Sequence, residues 1–409
     1  MRTAFLKGRD LHGKGEVLGA ALPTGHAKEL SCRETERKVE QKPCQGGCHS
    51  LAVDTRPHII ADSQIPFLDA ITASHARITR MPGHMIGPSD VRRADALVIR
   101  TRTVCNASLL QGSAVSFIGS ATIGTDHIDL EYCASGNITV TAAPGCNAGA
   151  VMQYLFTALA AWARAGETDL REMTLGIVGV GNVGKKVEDL ARHLGMKTIL
   201  NDPPRALTEG PEGFSTLDRL LTEADIVTMH VPLTPLTRGM AGREFFRSLR
   251  NGACFVNTSR GAVVDESALR EASGRLGGII LDVWQGEPHI DPSTVKITDL
   301  ATPHIAGYSL EGKRNASQTV LRALARHFGW EDLKDHTIDL PPVPVVPAHL
   351  LFTRCFPIFV EDKRLRDAPH DFETQRNAYV YRREWTPEQY RQLTLCLPHK
   401  TWNTSDAKD

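Results

Sequence analysis

The strongest constraint on this chain is the stretch Leu175-Gly176-Ile177-Val178-Gly179-Val180-Gly181-Asn182-Val183-Gly184. An apolar run of strand character enters a turn whose glycines have G-x-G-x-x-G spacing. Lys185–Leu194 then follows with a helical pattern. Gly179 permits a tight turn, Gly181 lets backbone approach a pyrophosphate, and Gly184 lets helix and strand pack closely. The N-terminus of that helix, just past Asn182 and Val183 of the turn, offers unpaired N–H groups and a partial positive charge to phosphates. A bare glycine spacing is a weak signal. Here it sits between strand and helix, and Asp202 follows just past the next expected strand, Thr198–Leu200. A carboxylate at that point accepts hydrogen bonds from ribose hydroxyls and repels a 2′-phosphate. The pattern therefore predicts NAD rather than NADP, although Arg205 nearby weakens the distinction.

Around this unit the chain alternates short apolar runs with helical stretches. Strands are predicted at Ala96–Ile99, Val115–Gly119, Ile138–Thr141, Leu175–Gly179, Ile226–His230, Cys254–Asn257, Ile279–Val283 and Ala301–His304. Helices are predicted at Leu217–Ala224, Arg243–Leu249, Glu266–Ser273 and around Ser317–Phe328. The uncharged stretch from Gly145 to Ala163 reads as a buried helix capped by Asn147 and ending near Gly166. It contains Asn147, Gln153 and Thr157 and is too short and polar for a membrane span. Repeated β-α-β units imply parallel sheet covered by helices. Residues 1–56 show no sustained period and read as a poorly ordered extension. Pro341, Pro342, Pro344 and Pro347 make a stiff junction to an Arg-rich unit over 350–409, which is small enough that it is expected to pack on another subunit.

With 47 basic and 47 acidic side chains, the balance argues against a nucleic-acid partner. Nine scattered cysteines read as reduced thiols, and residues 1–20 lack an apolar core, so a cytoplasmic chain without membrane contact is expected. Cys44, Cys48 and His49 have metal-like spacing but no second pair, and no metal is expected.

Three later segments each end a predicted strand with polar residues: Asn257–Gly261, Leu281–Pro288 and Thr302–Gly307. In parallel sheets ligands bind at such carboxyl ends, so Arg260, Glu287 and His304 converge if these strands are parallel. The set suits hydride transfer from a 2-hydroxy acid. Arg offers a planar cation for the carboxylate, His a base of near-neutral pKa, and Glu a partner that fixes the imidazole tautomer.

Over roughly residues 58 to 395 the sequence resembles the D-isomer-specific 2-hydroxyacid dehydrogenases. The stretches that carry this are Ala121–Asp129, Ala143-Pro144-Gly145-Cys146-Asn147-Ala148, Val178–Gly184, Asp202-Pro203-Pro204-Arg205, Arg260–Asp265, Leu281-Asp282-Val283-Trp284 and His304–Lys313. The Pro-Gly-Cys-Asn and Ile-Ala-Gly-Tyr-Ser-Leu-Glu-Gly-Lys stretches point to a branch that takes a small phosphorylated 2-hydroxy acid.

The resemblance implies an α/β chain in which a Rossmann-type dinucleotide domain (151–304) is inserted into a flavodoxin-like substrate domain (57–150 and 305–335). A small C-terminal α+β dimerisation domain (350–409) would make a homodimer. It further implies that Arg260 binds carboxylate, Glu287 orients the base and His304 accepts the proton. With the glycine loop, Asp202, Val231, Asp282 and Gly307 would contact NAD, and Thr101, Thr122 and Tyr308 would contact substrate. Val231 stands where the branch commonly has Thr, and Thr101 where it commonly has Ser. Arg100 and Arg102 flank Thr101, and one of them is expected to meet the phosphate.

Two other readings share the scaffold: a dehydrogenase of another D-2-hydroxy acid such as 3-phosphoglycerate, and a non-catalytic NAD(H)-sensing regulator. Intact Arg260, Glu287 and His304 argue against the regulator. Tyr308 and the Pro-rich junction argue against the other substrate.

Overall fold

The computed structural model describes residues 54–395. Readings that concern residues 1–53, including Cys44, Cys48 and His49, lie outside the described residues.

The first sheet contains β1 (His58–Asp62), β2 (Arg77–Met81), β3 (Ala96–Ile99), β4 (Phe117–Ser120) and β5 (Thr139–Thr141), all parallel, in the order β2-β1-β3-β4-β5. This is the flavodoxin-like order. β3 and β4 are buried along their whole length, as expected of central strands covered on both faces.

The second sheet contains β6 (Thr174–Val178), β7 (Lys197–Asn201), β8 (Ile226–Met229), β9 (Cys254–Asn257), β10 (Gly278–Leu281) and β11 (Leu300–Ala301), in the order β11-β10-β9-β8-β6-β7. All its pairs are parallel too. Beyond β7 a further strand is reduced to one point of contact. Ser215 N–H donates to the Leu200 carbonyl at 2.7 Å, and Asn201 Nδ2 donates to the Ser215 carbonyl at 2.8 Å.

Each sheet reverses its direction of build once, between β1 and β3 and between β6 and β8. Crevices open at the carboxyl ends of strands at such reversals. Asp62 and Arg100 lie at the first, and the Gly179–Gly184 loop and His230-Val231 at the second.

Two long helices tie the sheets together. Ala148–Ala165 is apolar almost all round and is buried nearly throughout. Its Trp162 indole N–H donates to the Gly277 carbonyl at 3.1 Å, and only glycine fits at 278 beside that ring. No helix among the described residues is long and apolar enough to cross a membrane. Asn147 stands at the start of this helix but makes no side-chain cap, contrary to expectation. Its amide lies instead against Gly307, where a Cβ would collide with it. After β11 the chain returns through Leu310–Phe328, capped by Ser309, whose Oγ accepts from Gly312 N–H. Val320, Leu321, Leu324 and Ala325 of this helix pack on β1, β3 and β4 through Ile59, Ala61, Val98 and Phe117.

The C-terminal unit departs from expectation in its secondary structure. Among the described residues it is helical (Leu351–Arg354, Ile358–Asp367, Phe372–Ala378, Pro387–Gln392) rather than α+β. Its only β pairing there is an isolated bridge between Arg382 and Ser309. It also buries apolar side chains against its own chain. Leu351, Phe352, Phe356, Ile358 and Leu393 join the core around Ala148–Ala165. Asp362 accepts from Ala301 N–H at 2.8 Å, and Arg366 donates to the Val295 and Thr298 carbonyls at 2.7 Å each.

Candidate active site

The glycine loop has the conformation its sequence requires. Gly179 has φ +88°, where a side chain would be strained and would meet the His230 carbonyl. A Cβ on Gly184 would strike the Gly179 carbonyl, whereas Gly181 faces open space. No side chain caps the helix Asn182–His193 at Gly181, so its first-turn N–H groups remain available to an anion. This cradle, closed by backbone on one side only, fits a dinucleotide pyrophosphate.

Asp202 closes the loop. Its Oδ2 accepts from Val180 N–H at 2.7 Å, and its Oδ1 accepts from Arg205 N–H at 3.1 Å, capping Pro203–Glu209. Arg205 is turned away, donating to Glu209 (2.7 and 2.6 Å) and to the Val180 carbonyl (2.7 Å). It is therefore not free to receive a 2′-phosphate. Beneath the loop, burial pushes the His230 imidazole down to about 3, so this histidine is neutral near pH 7. Val231 packs against Gly179.

At the carboxyl ends of β10 and β11, His304 Nδ1 and Glu287 Oε2 lie 2.7 Å apart. The other oxygen, Oε1, accepts from Trp284 N–H at 2.9 Å. Burial raises the cost of ionising Glu287, but His304, the Trp284 N–H and Arg376 outweigh it and hold the carboxyl below its ordinary range. With Nδ1–H directed at Glu287, Nε2 is the imidazole's free acceptor.

His304 has φ +58°, an uncommon conformation for a non-glycine residue. A buried network explains how it is held. Asp282 accepts from Thr302 Oγ1 (2.6 Å), Ile305 N–H (2.8 Å) and Ala306 N–H (2.9 Å), and His304 N–H donates to the Asp282 carbonyl at 2.7 Å. Tyr154 OH lies 2.6 Å from Thr302 Oγ1, and the Trp284 indole N–H donates to the Thr302 carbonyl at 2.9 Å. Burial raises the Asp282 carboxyl above its ordinary range against the pull of His304 and these donors. Its two oxygens are thus committed to the turn that carries His304.

Arg260 follows β9. Asn257 shapes the turn, its Oδ1 accepting from Ser259 N–H (3.0 Å) and its Nδ2 donating to the Arg260 carbonyl (3.0 Å). Arg260 Nη1 donates to the Ser259 carbonyl (2.8 Å). Nη2 reaches the loop after β4, lying 3.5 Å from where a Cβ on Gly124 would stand. No carboxylate among the described residues pairs with Arg260, which leaves the guanidinium for an external anion.

On the facing sheet, Thr122 Oγ1 lies 2.7 Å from Ser120 Oγ, and Thr101 is exposed at the end of β3. The Tyr308 hydroxyl accepts from Arg376 Nε at 3.0 Å. Gly307 sits against Asn147. Of the two arginines beside Thr101, Arg102 pairs with Glu373 and Arg100 with Asp62 at 3.1 Å.

Sequence reasoning missed the Tyr154–Thr302–Asp282 network and Arg382. The buried Arg382 guanidinium donates to the Ile305 (3.1 Å), Tyr308 (3.0 Å), Ala150 (2.8 Å) and Ala306 carbonyls. Nothing in an Arg-rich tail distinguishes the one arginine that will be buried on carbonyls.

Residues 156–306 match the sequence profile of the D-isomer specific 2-hydroxyacid dehydrogenase NAD binding domain. An erythronate-4-phosphate dehydrogenase of Bacteroides fragilis is 44% identical over 341 residues, spanning 80% of this chain and 97% of the relative. One from Escherichia coli is 38% identical over 349 residues, spanning 80% and 92%. Among solved structures, the TT0316 protein of Thermus thermophilus superposes with a TM-score of 0.58 at 29% identity, covering 66% of this chain and 97% of its own. The D-lactate dehydrogenase of Aquifex aeolicus, complexed with NAD and lactic acid, gives 0.56 at 25% identity, covering 69% and 100%.

Proposed function

Because the chain belongs to the erythronate-4-phosphate dehydrogenases, a branch of the D-isomer-specific 2-hydroxyacid dehydrogenases, we propose that it oxidises 4-phospho-D-erythronate to 3-hydroxy-2-oxo-4-phosphobutanoate with NAD, a step towards pyridoxal 5′-phosphate. The observation that carries the reading is the 2.7 Å His304–Glu287 pair, with Arg260 free of any carboxylate among the described residues after the neighbouring strand of the sheet that also carries the dinucleotide loop.

In this reading Gly179, Gly181, Asn182, Val183 and Gly184 cradle the pyrophosphate of NAD and Asp202 meets its ribose. Val231 and Gly307 line the approach, and Asp282 serves by fixing the turn above it. NAD, when bound, supplies the hydride acceptor. Arg260 grips the substrate carboxylate in a two-pronged contact, which fixes the adjacent carbon. Thr101, Thr122 and Tyr308 border the rest of the substrate. His304 Nε2 takes the hydroxyl proton, and Glu287 stabilises the imidazolium that results. The fixed φ of His304 means the ring need not be organised at the moment of reaction.

Assembly as a homodimer belongs to the same proposal and rests on the family resemblance of the C-terminal unit. A cytoplasmic setting is supported by five described cysteines that are free thiols.

The test is NADH formation with 4-phosphoerythronate, 3-phosphoglycerate and D-lactate in parallel. Turnover with 4-phosphoerythronate far above the others is expected. Turnover from phosphoglycerate alone would overturn the substrate assignment, and tight NAD binding without turnover of any would favour a regulator.

A further inference from the structure

We propose that Lys313, Arg376 and Arg100 form the site for the phosphoryl end of the substrate, and that the C-terminal unit, through Arg376, sets the preference for a phosphorylated acid. The inference rests on the reading of His304 as the base for a 2-hydroxy acid.

The three cations come from three parts of the chain. Arg100 ends β3 at the reversal point of the first sheet. Lys313 lies in the first turn of Leu310–Phe328. Arg376 belongs to the C-terminal helix Phe372–Ala378. They gather around two tyrosines. Lys313 Nζ stands 4.5 Å from the Tyr308 ring centroid and 4.9 Å from that of Tyr381. Arg376 donates through Nε to the Tyr308 hydroxyl. Lys313 feels both Arg100 and Arg376, and Arg376 in turn feels Glu287, which places the cluster beside the His304 pair.

Their charge is poorly compensated. Arg100 meets Asp62 through Nε only, and no carboxylate among the described residues forms a direct ion pair with Lys313 or Arg376, although Glu287 and Glu373 act on Arg376 from farther off. The terminal nitrogens of both arginines have no hydrogen-bond partner among the described residues. All three side chains are half-buried, so their charges are less screened than on an open surface. Burial, Arg100 and Arg376 together depress Lys313 to about 8. A protein does not gather such charges without cost, and a dianion that accepts from two guanidinium forks and an ammonium offsets it.

The experiment compares kcat/KM for 4-phosphoerythronate and for unphosphorylated erythronate in the wild type, Lys313→Met, Arg376→Met and Arg376→Lys. Inhibition by inorganic phosphate is measured alongside, and NADH binding reports the fold. In each Met variant the preference for the phosphorylated substrate should fall by roughly 10–10²-fold, the scale of losing one hydrogen bond to a charged group. Phosphate inhibition should weaken in parallel. Arg376→Lys should retain part of the preference, since it keeps the charge and loses the fork.

A wild type with no preference for the phosphorylated acid would sink the substrate assignment itself. A wild-type preference that survives unchanged in the Met variants, or equal losses on both substrates, would overturn the phosphate site while leaving the assignment intact. If Lys313→Met does not fold, the Arg376 pair decides alone.

Discussion

The two ends of the cleft are built on opposite electrostatic plans. Around His304 the groups that hold the base are already paired: Glu287 holds the imidazole at 2.7 Å, and Asp282 is committed to the turn beneath it, which leaves Arg260 as the one open charge for the substrate. Around Tyr308 and Tyr381, three cations gather with one direct ion pair among them, Arg100 to Asp62, while Glu287 and Glu373 act on Arg376 from farther off. A group that must hold one orientation while a proton moves benefits from partners fixed beforehand. A group that must choose among substrates is better left short of charge, so that only the correct anion completes it.

The largest effect should come from the paired end. His304→Ala removes the base and should lower kcat by about 10²–10⁴-fold, with NAD affinity kept. Steady-state kinetics with a separate titration of NADH binding checks this. A variant near the wild-type rate would take His304 out of the mechanism and dissolve the contrast between the ends.

Next in size is the support that the C-terminal unit gives both ends. Phe356 is buried, its ring under the Arg382 guanidinium (4.6 Å) and beside Tyr154 (5.7 Å). Phe356→Ala should cost about 3–5 kcal/mol in denaturant unfolding, within a single transition. Two separated transitions would show that the unit folds apart from the catalytic turn that Arg382 holds.

These contrasts were unevenly legible in the sequence. β3 and β9 were readable to the residue, because fully buried parallel strands are continuous apolar runs bounded by polar residues. β2 was not, since an edge strand that places Arg77 and Arg80 among its five residues has no such run. β11 is two residues long where four were expected, because it pairs on one side only and the chain then turns up to present His304. Residue type and position behind a dinucleotide loop were enough to single out Arg260, Glu287 and His304. The positive φ of His304 and the buried Arg382 were not legible, because both are imposed by hydrogen bonds between segments far apart in the chain. Arg376 was invisible for the same reason: its meaning lies in Tyr308 and Glu287, not in its neighbours along the chain.

The carboxylate behind the base should matter less than the base. Glu287→Gln keeps a hydrogen-bonding group and loses the charge that favours imidazolium, so kcat should fall roughly 10–10²-fold. The acid limb of the kcat/KM profile should move to lower pH. A profile that stays in place would mean Glu287 only positions the ring.

At the unpaired end the sign is opposite. Lys313 binds as a cation, and its depressed value near 8 means the charge is present below that pH and lost above it. kcat/KM for the phosphorylated substrate should therefore fall, by roughly tenfold, as pH rises through about 8. The groups that face it are the guanidiniums of Arg100 and Arg376, which carry permanent charge, and the Asp62 carboxylate beside Arg100. Burial raises the Tyr381 hydroxyl and holds the Cys146 thiol up to about 11, so neither masks the change. Unphosphorylated erythronate should show a shallower fall. The same slope on both substrates would assign the titration to another group.

The smallest effect tests whether pairing also governs cofactor choice. Asp202, which in the proposed reading meets the ribose, also accepts from Val180 N–H and caps Pro203–Glu209, so truncation to Ala would disturb the loop as well as any recognition. Asp202→Asn keeps the shape and an acceptor for one of those donors while removing the negative charge. Because Arg205 is already satisfied by Glu209 and Val180, no cation is waiting to replace the lost repulsion with attraction. The ratio of kcat/KM for NAD over NADP should thus drop only several-fold, to within about 1–2 kcal/mol of the wild-type discrimination, the scale of one hydrogen bond. An unchanged ratio would show that the carboxylate serves the loop alone. Reversal to NADP preference would show that Arg205 swings free of Glu209, and that this corner, like the phosphate end, holds a cation in reserve.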